Sequence, residues 1–102
     1  MNMQKMMKQA QKMQRALQIA QDQLKDEEFE ASSGGGMVKA VVTGEMEVKS
    51  IEIDQNAMDM GDAEMLGDMV MAAVNEALRG MSEISNQKMG AITGGANIPG
   101  LM

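Results

Sequence analysis

At 102 residues the chain is long enough for one small domain, spanning residues 1–102, and too short to bury a large private core, so association with further copies is expected. The absence of Cys and His excludes disulfide frameworks, thiol nucleophiles, imidazole bases and the usual zinc ligand sets; with one Phe and no Trp or Tyr, the core falls to Val, Ile, Leu, Ala and the 15 Met. A net charge of -6 would oppose a polyanionic partner, but its distribution reverses that reading: residues 1–21 hold four basic side chains and no acid, while residues 22–102 hold five basic and 15 acidic ones, a charge of -10.

Met3, Met6, Ala10, Met13, Leu17, Ala20 and Leu24 follow one another at alternating spacings of three and four, the a/d seam of a heptad repeat. The residues between them are mostly Gln, Lys, Arg and Ala, good helix formers with no Gly or Pro among them, so residues 1–25 are expected to form a helical arm. Lys5, Lys8, Lys12 and Arg15, at spacings of three, four and three, occupy an arc of about 80° on that helix, well away from the seam. Solvated Lys is ordinary on the outer face of a coiled coil. A helix shaped only for solubility, however, mixes Glu with Lys to gain i,i+4 pairs, and here no acid precedes Asp22. From Arg15 to Asp22 is about 10 Å of helix, comparable with the Debye length of about 8 Å in physiological salt, so a polyanion at the arm tip meets mainly the cations.

After the acidic residues Asp26, Glu27, Glu28 and Glu30, Phe29 and Ala31 suit a short strand, and Ser32 to Gly36 a turn. Met37 to Thr43 is rich in Val, Gly44 and Glu45 suit a tight turn, and Met46 to Ile53 alternates, so residues 28–54 read as an antiparallel β-meander. The alternation slips by one residue between Val48 and Ile51, which predicts a bulge near Lys49 and Ser50. From Asp62 a wider apolar stripe runs through Leu66, Met69, Val70, Ala73, Val74, Ala77, Leu78 and Met81, a second helix over 62–89 expected to pack on the hairpin. Gly67 and Gly80 each cost that helix about 1 kcal/mol relative to Ala, and close packing at both is the expected compensation. Residues 90–102, with Gly94, Gly95, Pro99 and Gly100, read as a mobile tail. In order, the elements make an α+β fold: long N-terminal helix, small antiparallel β-meander, long second helix, flexible tail.

Other patterns resolve into structural roles. Ser32 to Gly36 lacks both the Gly-x4-Gly-Lys-Ser/Thr and the Gly-x-Gly-x-x-Gly patterns of phosphate-cradling loops. Asp54, Asp59, Asp62 and Glu64 miss the calcium-loop spacing and read as residues that cap and charge the start of the second helix. Met58, Met60, Met65 and Met69 fall mostly on apolar helical positions and read as core or interface residues, not as thioether ligands for copper. No cofactor, metal or small-molecule substrate is expected, and no carboxylate pair is placed for catalysis, so an enzyme is not expected. No run of about 18 apolar residues exists and the first residues alternate Met with Asn, Gln and Lys, so the expectation is a soluble cytoplasmic chain without a membrane partner. Gln4, Gln11 and Gln14 could reach base edges, but nothing in their spacing marks a recognition helix. The shortage of aromatic platforms further favours duplex over single strands.

The opening Met6-Met7-Lys8-Gln9-Ala10-Gln11-Lys12-Met13-Gln14, the Gly-rich turn into Met37-Val38-Lys39, and Ser50-Ile51-Glu52-Ile53-Asp54 resemble the YbaB/EbfC family of bacterial nucleoid-associated proteins. So do the closing Lys88-Met89, Thr93-Gly94-Gly95 and Ile98-Pro99-Gly100, and the resemblance covers nearly the whole chain. It implies a homodimer with a central β-region and projecting helical arms, without enzymatic activity. Such a protein binds double-stranded DNA with limited sequence preference at the nucleoid, contributing to nucleoid organisation and gene regulation. The family's basic arm residues correspond, as a region, to Lys5, Lys8, Lys12 and Arg15. The Met content is higher than the family pattern suggests. A rival reading is a protein-interaction adaptor of the bacterial cytoplasm, in which the seam and the acidic body bind partner proteins and DNA affinity is incidental.

Overall fold

The computed structural model describes residues 2–93. Helix α1, Met3–Leu24, begins at Asn2, whose side-chain oxygen accepts hydrogen bonds from the amides of Gln4 at 3.1 Å and Lys5 at 3.4 Å, satisfying two of the helix's orphan donors. The heptad seam is only half used. Ala20 and Leu24 are buried, Ala16 and Leu17 are half-buried, and every residue from Met3 to Arg15 is exposed. Met3, Met6, Ala10 and Met13 therefore have no partner within the described chain, and the helix projects as an arm from a molecule 69 Å long.

Three strands follow, β1 (Glu28–Ser33), β2 (Val38–Thr43) and β3 (Val48–Ile53), antiparallel in the order β1-β2-β3. The predicted bulge is present: the register shifts between Val41 and Val42 of β2, which face Ser50 and Val48, leaving Lys49 without a counterpart. Met46, placed in a strand by its alternation, lies instead in the hairpin loop. The amides of Met46 and Thr43 each donate at 2.9 Å, to the Thr43 and Glu47 carbonyls. This closure puts Met46 at φ 62, the left-handed position of a three-residue hairpin loop. Gly44 is the point where the arm joins the body, because a Cβ there would run into the carbonyl of Leu24.

A five-residue helix α2, Gln55–Asp59, precedes α3, Ala63–Thr93. The short one was not expected, since five residues carry too little periodicity to stand out from a loop. Asp54 caps it by accepting from the Asn56 amide at 2.8 Å, and Asp62 caps α3 through the Met65 amide at 3.0 Å. Helix α3 lies across β1 and β2, where Ala73, Ala77 and Met81 meet Val38, Ala40 and Val42 from one face of β2 in a fully buried core. Phe29, Ala31, Val70, Val74 and Leu78 flank it. Gly80 marks a close approach of α3 to β1, since a Cβ would enter the Phe29 ring. Gly67 faces open space, so the expected compensation holds at only one of the two glycines. The predicted tail begins too early: α3 continues through residues 90–93, with the Thr93 hydroxyl donating to the Met89 carbonyl at 3.1 Å. The rest of that segment, 94–102, lies outside the described residues.

Candidate nucleic-acid interface

Lys5, Lys8, Lys12 and Arg15 all project from the exposed part of α1, and among the described residues none of them is in an ion pair. The body treats its cations differently. Lys25 pairs with Asp22 at 3.6 Å, Arg79 with Glu76 at 2.8 Å, Lys88 with Glu27 at 3.9 Å, and Lys49 with Glu28. Only Lys39, opposite Glu52 in the sheet register, stands outside such a pair there. Among the described residues, the unpaired basic side chains other than Lys39 are thus concentrated on one helix face.

The placement is costly for the helix taken alone. The first turn of α1 holds no acid, and Lys5 and Lys8 sit near its N-terminus, where aligned peptide dipoles already present partial positive charge. At Lys5, within the first turn where that field acts, the placement costs about 0.3–1 kcal/mol that an acidic residue would instead gain. An anion against this face relieves that cost. From Lys5 to Arg15 the ridge runs about 15 Å, a length in which duplex DNA carries about nine phosphate charges. Next to Arg15 a shallow polar groove is lined by Gln11, Gln14 and Gln18, whose amide groups can donate to phosphate oxygens. Gln18 was not singled out in the sequence, because a lone Gln on a helix carries no signal until the groove is seen. The cations lie roughly opposite the apolar seam, and the groove continues from them around the helix to Gln14, which flanks the seam.

The remaining sequence candidates separate. Asp54 and Asp62 cap helices, Glu64 occupies the first turn of α3, and Asp59 accepts from Gln55 Nε2 at 3.1 Å. Among the described residues no three acidic groups converge on a metal position. Met69 packs on the core and Met65 is half-buried, whereas Met58 and Met60 are 53% and 52% exposed and take no part in the core, which leaves for them the interface half of the expected core-or-interface role. Among the described residues, no helix is long and apolar enough to cross a membrane.

The chain is similar to known proteins over most of its length. The family model of the YbaB/EbfC DNA-binding family matches residues 1–96. A nucleoid-associated protein of Alkaliphilus metalliredigens is 53% identical over 98% of this chain and 88% of its own length. One from Pelotomaculum thermopropionicum is 50% identical over 98% and 95%. Among solved structures, the uncharacterized protein HP0035 from Helicobacter pylori shares the fold, with a TM-score of 0.73 at 23% identity over 85% of this chain and 91% of that one. A helix whose outer face carries unpaired cations, joined to a small sheet crossed by a long helix, is thus found in a chain that belongs to the YbaB/EbfC DNA-binding family, which is not a family of enzymes.

Proposed function

We propose that this chain binds double-stranded DNA as a homodimer through the cationic face of α1, with limited sequence preference, and so contributes to nucleoid organisation and gene regulation in the bacterial cytoplasm. The observation that carries the reading is the segregation of charge: the four arm cations are exposed and unpaired, while the body's cations are largely neutralised by its acids. Phosphates attract the arm and repel the body, so the duplex has one way to approach. The nucleoid-associated relatives support placing the protein at the nucleoid.

The homodimer is supported by β3. Val48, Ile51 and Ile53 are register partners of the buried Val42, Ala40 and Val38 and share their face of the sheet. They nevertheless remain 44%, 41% and 40% exposed, because α3 lies over β1 and β2. A second copy covering this strip and its free strand edge would place two arms on one particle.

Gel shifts on unrelated duplexes, with the mass of the native species measured alongside, test the reading. The wild-type chain is expected to shift all of them with similar affinity at twice the chain mass. A variant with Lys5→Glu, Lys8→Glu, Lys12→Glu and Arg15→Glu is expected to keep that mass and lose the shift. Unchanged DNA retention by this variant would overturn the proposal in favour of the adaptor reading.

A further inference from the structure

The arm has a second surface behind its cations. Met3, Met6, Ala10 and Met13 continue, without a break in heptad register, the positions Leu17, Ala20 and Leu24 that pack against the body. Together with Met7, the first three line a shallow apolar surface near the arm tip, and Met3, Met6, Met7 and Met13 are 74%, 53%, 60% and 37% exposed. The flanks of the seam decide what fits there. With Met3 at an a position, the e and g positions beside the exposed stretch are Met7, Gln9, Gln14 and Ala16, all uncharged, and the four cations fall at c and f on the outer side.

We propose that this seam is where the arm of a second dimer packs, antiparallel, leaving the cations of both arms turned outward to DNA. A heterologous partner would be selected by charges at e and g, and there are none to read. A second copy meets the seam with its own neutral flanks, so no like charges are opposed across the contact. The bodies set the orientation. Residues 22–102 carry -10 in each chain, and a parallel pair would bring two such bodies together at one end. The antiparallel pair holds them apart, with Met3 of one arm against Met13 of the other and Met6 against Ala10, large beside small. Overlap from residue 3 to residue 13 covers about 16 Å of helix, too little for the roughly 1,200 Å² that a stable interface buries. The pairing is therefore weak between free dimers and accumulates where DNA concentrates the arms. In this respect it rests on the proposed DNA-binding role of α1.

The natural absence of Cys makes the test direct. Chains carrying Met6→Cys and Ala10→Cys, one with a mass tag, are mixed with and without a duplex and exposed to oxidised glutathione; Gln4→Cys on the outer side is the control. The mixed disulfide is expected in several-fold excess over the control, to rise about tenfold with duplex, and to appear in species larger than a dimer. Adding Met3→Gln and Met13→Gln is expected to lower that yield several-fold while single-duplex affinity is unchanged. Cross-linking no greater than the control on a duplex that the chain demonstrably shifts would overturn the pairing alone, as would cross-links confined to one dimer. Weaker single-duplex binding by the Met→Gln chain would overturn it by placing the seam on DNA. A wild-type chain that shifts no duplex would defeat the DNA reading first and this proposal with it.

Discussion

Neutralising the arm cations one at a time gives a quantitative prediction. In the proposed homodimer, two arms with four cations each would offer eight phosphate contacts, and log K would fall with log salt by about 0.9 per contact, a slope on the order of -7. Raising salt from about 50 to 200 mM then weakens binding by about four orders of magnitude. Each of Lys5→Gln, Lys8→Gln, Lys12→Gln and Arg15→Gln removes one contact per arm and makes the slope shallower by about 1.8, and the quadruple variant approaches a flat line. Gln is a good helix former, and all four side chains are exposed and unpaired, so the fold is not disturbed. Lys49→Gln serves as the control, because Lys49 is paired with Glu28 and leaves the slope unchanged. Gel shifts at four or more salt concentrations provide the measurement, with circular dichroism confirming helix content. A quadruple variant with the wild-type slope would refute the arm as the DNA-binding element.

Three further outcomes are expected. Gly80→Ala drives a methyl into the Phe29 ring and is expected to cost about 2 kcal/mol, whereas Gly67→Ala, facing open space, is expected to stabilise by up to about 1 kcal/mol; denaturant midpoints of equal m-value read both. Met46→Gly relieves a left-handed residue at φ 62 and is expected to raise stability by about 1 kcal/mol, and a lower midpoint would refute strain at that loop. Ile51→Glu puts a charge on the uncovered strip of β3 and is expected to halve the native mass and to reduce the salt slope to about -4; an unchanged mass by light scattering would place the homodimer contact elsewhere.

Periodicity made both long helices and the bulge legible, because each depends on which residues face the same way. The slip between Val48 and Ile51 located Lys49 without any structure, and Asp62 marked the start of α3. What escaped notice depended on hydrogen-bond closure or on neighbours distant in sequence. Met46 alternates with Val48 like a strand residue, yet the Thr43–Glu47 closure takes it out of the strand. Gly67 and Gly80 are indistinguishable along the chain, and only the approach of Phe29 separates them. The extension of α3 through Gly90 was hidden by a weak helix former that tertiary context overrides. In the candidate interface, the cationic arc followed from spacing alone, whereas the freedom of its four members from ion pairs required knowing where every acid lies.

The composition of the arm follows from this isolation. From Met3 to Arg15 the helix has no tertiary partner, and a free helix of that length is marginal in water. Here it is propagated from the packed turn around Ala20 and Leu24, so the cost of nucleation falls on the body, and Asn2 closes the far end. Glu in place of Gln4 or Gln11, four before Lys8 and Arg15, would add about 0.2–0.5 kcal/mol each, but each would cancel a cation on the proposed binding face. Gln, Ala and Met sustain the helix without charge. The result is an arm whose first turns are its least stable part and whose positive field is strongest there, so phosphate binding and helix order at the tip reinforce each other. Slower amide exchange at residues 4–9 on adding a duplex is the signature expected of that coupling, and exchange indifferent to DNA would separate the two.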